Sequence, residues 1–430
     1  MTHNKLKMRS YNYLAIDPFV YISCKEEKCM VLDTRTYKFL EINNPKIISI
    51  LLNAIDKKNY HIAYIGEGNI EDKEVKGFVQ KMVSLGWGKM IIKKEKKRPV
   101  QIPPVLRISN DIVNYEKDDT SYLTDIKTYI HELFLFLNND KCPLDWSPYK
   151  ESFKQIETLR FENDSYKEMT EEIFMDIVNS LDVLPEKISI SGSAVWELSF
   201  IDKVIAVLNE KQQSLISYNI KLSDALKLKD LGKVIDFSHS YIRLNIIPTD
   251  DLTMLGEWAS DDRFFFNFLV DDEMSYNKYI SVIEKFKVKK YVFSPVLIEK
   301  NNLTFFEKSV FLTHEDIFQE KQTIKQILAK GKFNPSLFGK IYFDETGSFF
   351  MNLNNSPIGN IKDAPLYLTI YEQFVVNKKN QWFLTRNDVN PCKNCNFALL
   401  CPPISNYELY AKKFNFCKIK EVKNEVGHKL

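Results

Sequence analysis

Cysteine is distributed unevenly along this chain, and that distribution limits the fold more than any other feature. Four of the seven cysteines lie near the C-terminus with the spacing C-x2-C-x5-C-x15-C, and they are Cys392, Cys395, Cys401 and Cys417. Four soft sulfur ligands select an iron–sulfur cluster or zinc. Buried small side chains, or disulfides in a secreted chain, are the alternatives. The clustering favours a metal site at these four residues.

Composition restricts the class of protein. With 430 residues, 44% of them hydrophobic, the chain can form more than one core, which predicts several domains. No apolar run is long enough to span a membrane, and the polar start MTHNKLKMRS lacks a signal peptide's apolar stretch. The few cysteines and this start predict a cytoplasmic protein with no membrane partner. A net charge of +2 and only 13 glycines, with no phosphate-binding glycine loop, argue against nucleic acid or nucleotide ligands.

Residues 12–92 predict a small winged-helix-like domain. Three short strand-like segments, FVYISC, CMVLDT and YKFLEI, follow one another between Phe19 and Ile42. Pro45 starts a helix, and a last helix is predicted from Asn69 to Leu85. Cys24 and Cys29, at the ends of a hairpin, are interpreted as packed thiols.

A domain of this kind binds either DNA or a peptide. Residues 1–90 contain fourteen Lys and Arg against ten Asp and Glu, with no basic stripe along the last helix, which argues against DNA. The last strand would lie at a sheet edge beside an apolar helix face, where an extended peptide can add as a further strand. The predicted peptide-binding residues are Tyr37, Lys38, Phe39, Leu40, Glu41, Ile42, Val75, Val79 and Met82. The alternative for the three helix residues is that they form the domain core.

This N-terminal region resembles the RiPP recognition element, the peptide-binding domain of enzymes that modify ribosomally made peptides. The resemblance implies that the leader of a precursor peptide docks between Tyr37–Ile42 and the helix residues Val75 to Val83.

A charged and then proline-rich segment, 93–104, predicts a linker. Beyond it, 105–311 alternates strands with amphipathic helices such as Tyr166–Leu181 and Leu198–Lys211. The predicted strands are 132–138, 187–192, 214–222, 240–247, 263–270 and 289–297. This pattern predicts an α/β fold with a parallel sheet, open or curled into a partial (β/α)6 barrel.

The loops after the first two of these strands are similar to the radical S-adenosylmethionine (SAM) motifs, but with residues missing. In the cluster-binding C-x3-C-x2-C loop only Cys142 remains, with Trp146 and Tyr149 at the other two positions. The four residues from Gly192 to Val195 match the G-G-E-P motif without its carboxylate. The resemblance therefore implies a radical-SAM-like barrel with no functional SAM site, unless Cys142 is simply a packed thiol in an unrelated loop.

Residues 312–430 predict a third, cysteine-rich domain. Thr313 caps a helix, 339–353 reads as a hairpin, and a turn follows at Gly359–Ile361. The region resembles the SPASM extension of radical SAM peptide maturases. That resemblance implies one [4Fe-4S] cluster on the four C-terminal cysteines, with zinc as the alternative.

Taken whole, the sequence resembles pseudo-radical-SAM proteins that accompany an active maturase acting on precursors with a double-glycine leader. The resemblance implies a protein that is not an enzyme, binds the leader peptide and docks it to the catalytic radical SAM subunit in a hetero-oligomer. One alternative is an active radical SAM/SPASM enzyme with unusual cluster ligands, for example Cys142 with Cys24 or Cys29. The other is a zinc-containing regulator that binds DNA.

Overall fold

The computed structural model describes residues 10–102, 124–141, 144–162, 166–181, 183–192, 195–210, 214–225, 239–298, 301–375 and 380–419. The N-terminal region has six strands, β1 Tyr11–Ile16, β2 Val20–Lys25, β3 Lys28–Asp33, β4 Phe39–Ile42, β5 Ile62–Ile65 and β6 Gly88–Lys93. Its helices are α1 Pro45–Ile55, α2 Glu67–Glu71 and α3 Lys73–Ser84. The strands form two antiparallel sheets, in the orders β5-β1-β6 and β2-β3-β4.

The helices of this region begin where the sequence supplies caps. The Asn44 side chain accepts hydrogen bonds from the N–H groups of Lys46 and Ile47, and Pro45 stands in the first turn of α1. Asp72 caps α3 in the same way, with extended backbone, so the single helix predicted from Asn69 divides into α2 and α3. A cap residue inside a periodic apolar pattern is enough to break it.

The three strands predicted between Phe19 and Ile42 are present as β2, β3 and β4. The interpretation of Cys24 and Cys29 as packed thiols is wrong, because they form a disulfide. They are directly opposite each other on β2 and β3, and that register is what brings the two sulfurs together.

The described residues beyond 102 form twelve more strands, β7 Glu132–Phe136, β8 Asn138–Lys141, β9 Phe161–Glu162, β10 Lys167–Glu168, β11 Lys187–Ser191, β12 Leu215–Lys221, β13 Ser240–Ile246, β14 Phe264–Val270, β15 Tyr291–Pro295, β16 Lys340–Phe343, β17 Ser348–Phe350 and β18 Gly359–Asn360. Its helices are α4 Phe153–Ile156, α5 Glu171–Ser180, α6 Ile201–Glu210, α7 Leu222–Ala225, α8 Leu255–Trp258, α9 Glu273–Phe286, α10 Leu303–Ser309, α11 His314–Gln319, α12 Ile324–Lys330, α13 Leu366–Val375 and α14 Asn406–Ala411.

A nine-stranded sheet dominates this part, in the order β15-β14-β13-β12-β11-β7-β16-β17-β18. The pairs from β7 to β15 are parallel, as predicted. Within the described residues the sheet does not close into a barrel. The small strands β8, β9 and β10 form a separate sheet beside it.

The large sheet crosses the predicted boundary between residues 311 and 312. Strand β16 pairs in parallel with β7, the first strand of the predicted barrel, and β17 and β18 extend the sheet from β16. The predicted turn at Gly359–Ile361 is in part this last strand. The domain boundaries remain predictions, but the third segment shares a sheet with the second.

One face of the large sheet packs against helices. Alternate residues of each strand, such as Leu133 on β7 and Ile190 on β11, lie in a single buried cluster with α5, α6 and α9. The cluster also contains Ile341 of β16 and Trp382. No helix in the described part of the chain is long and apolar enough to cross a bilayer.

Candidate functional site

Strand β4 is the outer strand of its sheet, so one of its backbone edges has no strand beside it in the described part of the chain. The Asp33 N–H donates to the Lys38 carbonyl oxygen at 3.0 Å, which fixes the hydrogen-bonding phase of the β3–β4 ladder. Because such ladders alternate, Leu40 and Ile42 bond to β3, and the N–H and C=O groups of Phe39 and Glu41 point to the open edge. An extended peptide can pair with those groups.

The two faces of β4 pack against different parts of the molecule. Leu40 and Ile42 contact the N-terminal core, which also contains Val79. Phe39, on the opposite face, stacks on Phe318 of α11 with ring centroids 5.0 Å apart. Strand β4 therefore packs on both faces, and no strand of the described residues pairs with its outer edge.

The predicted helix residues lie mostly in the interior. Val75 and Met82 are fully buried, and Val79 is 8% exposed. These three residues therefore form part of the domain core, which was the alternative given for them. Val83, one turn beyond Val79 on α3, is 43% exposed. It lies at the end of the range Val75 to Val83 that the resemblance gave, although it is not among the individually predicted residues.

The remaining predicted peptide-binding residues frame the start of β4. Tyr37 has a left-handed backbone, with φ of 59°, and its hydroxyl donates to the Gln322 carbonyl oxygen at 3.1 Å. Lys38 and Glu41 are exposed. The local sequence pattern indicates this strand but not its contacts with Phe318 and Gln322. Those residues lie nearly three hundred positions away, so no local pattern points to them.

The four C-terminal cysteines lie in one small region built from loops. Cys392 begins a 3-10 turn, Cys392–Asn394, and the Cys395 N–H donates to the Cys392 carbonyl oxygen at 2.9 Å. Cys401 follows in a turn in which its N–H donates to the Phe397 carbonyl oxygen at 3.0 Å. Cys417 reaches the region by a parallel bridge to Leu312.

Arg386 lies buried among these cysteines. Its guanidinium donates to Glu408 at 3.0 and 3.1 Å and to the Pro402 carbonyl oxygen at 2.6 Å. It also approaches the Cys392 sulfur at 3.5 Å, and that thiol donates to the Phe414 carbonyl oxygen at 3.0 Å. The Cys392 thiol is thus engaged with protein groups rather than facing an open cavity.

Burial controls the ionisation of these thiols. It raises the pKa of Cys392 and Cys395, and it raises the pKa of Cys401 to about 12, although the Arg386 charge opposes the shift. A metal requires thiolates that converge. Among the described residues, no three Cys, His, Asp or Glu side chains come together as a metal site. The arrangement shown here does not fit a preformed metal centre, and a cluster or zinc at the four cysteines stays a prediction.

The motif positions of the barrel are only partly visible. Cys142, Ser193 and Ala194 lie outside the described residues. Gly192, at the end of β11, has φ of 157°, and a Cβ there would lie 2.6 Å from the Asn138 side-chain oxygen. Its lack of a side chain is therefore required by close approach to β8.

The face of the large sheet opposite the helices, here called the inner face, carries buried polar side chains that are not among the predicted site residues. The Asn267 side chain donates to Asn245 at 2.9 Å and accepts from Ser294 at 2.6 Å, and Asn219 donates to Ser189 at 2.7 Å. The signal was present in the sequence, because these residues alternate with the apolar ones that face the helices.

Two polar atoms on the inner face are buried without a hydrogen bond to the described residues. The Ser191 hydroxyl and the Asn219 side-chain oxygen are buried without a hydrogen-bond partner in the part of the chain that the structure describes. Buried polar groups in this position, near the carboxyl ends of parallel strands, belong to the region where such folds hold their ligands.

No family model matches the sequence, and no curated protein does. Among solved structures, the chain is similar to SuiB of Streptococcus suis bound to S-adenosylmethionine, with 10% identity and a TM-score of 0.46 over 94% of this chain and 98% of that chain. A second SuiB structure covers 94% and 100%, with 10% identity and a TM-score of 0.43. The protein anSMEcpe, with bound AdoMet and a Kp18Cys peptide, covers 63% and 88%, with 13% identity and a TM-score of 0.39.

The fold is mixed α/β with a large, mostly parallel sheet. The expectation that the chain is not an enzyme is contradicted, because two of the structures that it matches have S-adenosylmethionine bound. That expectation rested on Trp146 and Tyr149 in place of two cluster cysteines and on the missing carboxylate between Gly192 and Val195. The likeness is one of fold and transfers no activity or cofactor to this chain.

Proposed function

We propose that this chain binds the leader segment of a ribosomally synthesised precursor peptide as an added strand on β4 and docks it to a radical SAM peptide maturase. The open edge of β4 is the observation that carries the proposal. Main-chain pairing gives affinity for any extended segment, and the side chains beside the edge select which segment binds.

The surroundings of β4 suit a partly apolar extended peptide. Alternate peptide side chains would continue the two faces of β4, one on the side of the N-terminal core, where Leu40 packs, and one on the α11 side, where Phe39 and Phe318 stack. The exposed side chains of Lys38 and Glu41 stand along the strand and supply charges of both signs for register. Because β4 is fixed on both faces, little ordering is needed on binding, which favours affinity.

The test uses two substitutions at one position. Glu41→Pro removes an N–H that points to the open edge, while the ladder to β3 keeps its bonds, because proline is tolerated in an edge strand on that side. Glu41→Ala removes the same carboxylate and keeps the N–H. We expect Glu41→Pro to weaken binding of a fluorescein-labelled double-glycine leader peptide by about tenfold or more, and Glu41→Ala to change it little.

A reconstituted reaction tests the docking part of the proposal. With the maturase and its full-length precursor, modification should rise when this chain is added, and the rise should be lost with Glu41→Pro. A precursor that lacks its leader should show no such rise. Equal leader binding by the two Glu41 variants would exclude β4 as the binding edge, and equal modification with and without this chain would exclude the docking role.

A further inference from the structure

A cavity of about 410 Å³ opens on the outer face of the β5-β1-β6 sheet, away from the N-terminal core. Its walls come from four elements of the chain. They are strand β1, the turn after α1, strand β5 and the segment that follows β6. Its volume is in the range of ligand sites.

Three cations line this cavity, and no carboxylate of the described residues does. They are Lys58, Lys96 and Arg98. None of the three forms an ion pair within the described part of the chain. Two acids lie close to these cations in sequence, and neither lines the cavity. Glu95, next to Lys96, is exposed, and the Asp56 carboxylate accepts a hydrogen bond from the Lys58 backbone N–H at 2.9 Å, where it caps the 3-10 turn. Three uncompensated cations around one concave site attract an anionic ligand.

Tyrosines form the floor of the cavity and add hydroxyl groups. Tyr13 is 2% exposed, and its ring lies 5.6 Å from that of Tyr64 at an angle of 56°. Rings tilted against each other do not form the flat platform on which nucleic acid bases stack. Tyr60, 45% exposed, stands at the rim. Phenol hydroxyls beside cations are suited to carboxylate oxygens.

The segment bearing Lys96 and Arg98 is held onto the sheet. Just beyond it, the Gln101 side chain donates to the carbonyl oxygens of Ile16 at 2.6 Å and His61 at 3.3 Å. This anchor fixes one wall of the cavity before any ligand arrives. A prebuilt wall reduces the entropy lost on binding.

We propose that this cavity binds an acidic peptide segment, with neighbouring carboxylate side chains held by Lys58, Lys96 and Arg98 above the tyrosine floor. An open site of this volume accommodates a few amino acid side chains at once, and its charges come from separate segments, which matches carboxylates spaced along a peptide. The site lies on a different sheet from β4, so it does not depend on the proposed leader edge.

The probe is a fluorescein-labelled peptide of consecutive glutamates, and the full chain is the receptor. We expect saturable binding that weakens steeply between about 50 mM and about 500 mM salt, whereas the matching glutamine peptide should not bind. The combined variant Lys58→Gln, Lys96→Gln and Arg98→Gln should weaken binding by about tenfold or more.

A control variant removes the same charge elsewhere. Lys28, Lys73 and Lys76 are exposed and lie outside the cavity, so changing all three to Gln should leave the affinity nearly unchanged. Equal weakening in both variants would mean a response to net charge alone and would overturn the proposal. So would an absence of glutamate-peptide binding, tighter binding of single-stranded DNA, or full displacement of the peptide by citrate at equal concentration, which would assign the cavity to a small anion.

Discussion

Arg386 is a single residue on which the packing of the C-terminal region depends. Its side chain is 7% exposed and pairs with Glu408, which is 2% exposed. Removing one partner of a buried ion pair leaves the other charge without compensation. We expect Arg386→Ala to lower the free energy of unfolding by about 3–5 kcal/mol, measured by urea denaturation.

The exposed pair Lys308–Glu273 provides the comparison for that substitution. Its side chains are 68% and 67% exposed, so water and salt screen the attraction. Lys308→Ala should therefore leave the urea midpoint almost unchanged. If Arg386→Ala lowered the free energy of unfolding as little as Lys308→Ala, the packing of this region would not depend on the Arg386 guanidinium.

His61 makes stability depend on pH at the residue scale. Burial lowers the pKa of its imidazole below the ordinary value, and its Nδ1 atom has no partner among the described residues. The unfolded chain therefore takes up the proton first as pH falls below about 6.5, and stability is lost from there down through the folded pKa. His61→Asn suits the left-handed backbone at this position, where φ is 61°.

The measurement compares unfolding free energies of the two proteins at about pH 7.5 and about pH 5. Wild type should lose more stability than His61→Asn over this interval, because only wild type must charge a buried imidazole. The same loss in both proteins would show that His61 is not responsible.

At the scale of elements, the β2–β3 hairpin is closed covalently by the Cys24–Cys29 disulfide. Chain-entropy estimates for a short closed loop give about 2 kcal/mol of stabilisation. Adding dithiothreitol should therefore lower the urea midpoint of wild type, and it should not affect a Cys24→Ser, Cys29→Ser variant. Identical responses would mean that the disulfide adds nothing to the stability of the hairpin.

Elements with a strong periodic pattern could be predicted closely from sequence. The predicted strand at 187–192 is β11 Lys187–Ser191, and that at 240–247 is β13 Ser240–Ile246. The helix predicted at 198–211 is α6 Ile201–Glu210. These elements show alternating or helical apolar spacing, and burial in one cluster then confirms the pattern. Strands β1, β5 and β6 were missed because their pairing depends on distant segments rather than on local spacing.

The candidate sites divide in the same way. The strand character of β4 is local and was found, whereas its stacking on Phe318 is set by the tertiary fold. The cysteine spacing placed four thiols in one region, yet nothing near them in the sequence pointed to Arg386 as their buried neighbour. Spacing predicts which groups can meet, and packing decides their geometry and their pKa values.

At the scale of the whole molecule, the last third of the chain completes the large sheet. Strand β16 pairs with β7, and the Lys340 ammonium lies 2.7 Å from the Glu157 carboxylate, which also accepts a hydrogen bond from the Tyr342 hydroxyl. Glu157 is 8% exposed, and the Lys340 and Tyr342 groups that compensate its buried carboxylate come from beyond residue 311. The β2-β3-β4 sheet also contacts the part of the chain beyond residue 311, because Phe39 of β4 stacks on Phe318 of α11.

These connections predict that the chain ending at residue 311 does not contain an independent barrel. Without β16, the edge of β7 is open, Glu157 loses its cation, and the shared cluster loses Ile341, Phe343 and Trp382, which are fully buried. We expect the fragment 1–311 to bind the dye ANS and to unfold without a cooperative transition, whereas the full chain unfolds cooperatively. A fragment whose strands β7 to β15 unfolded with the midpoint found in the full chain would instead show that the sheet is stable without its C-terminal strands.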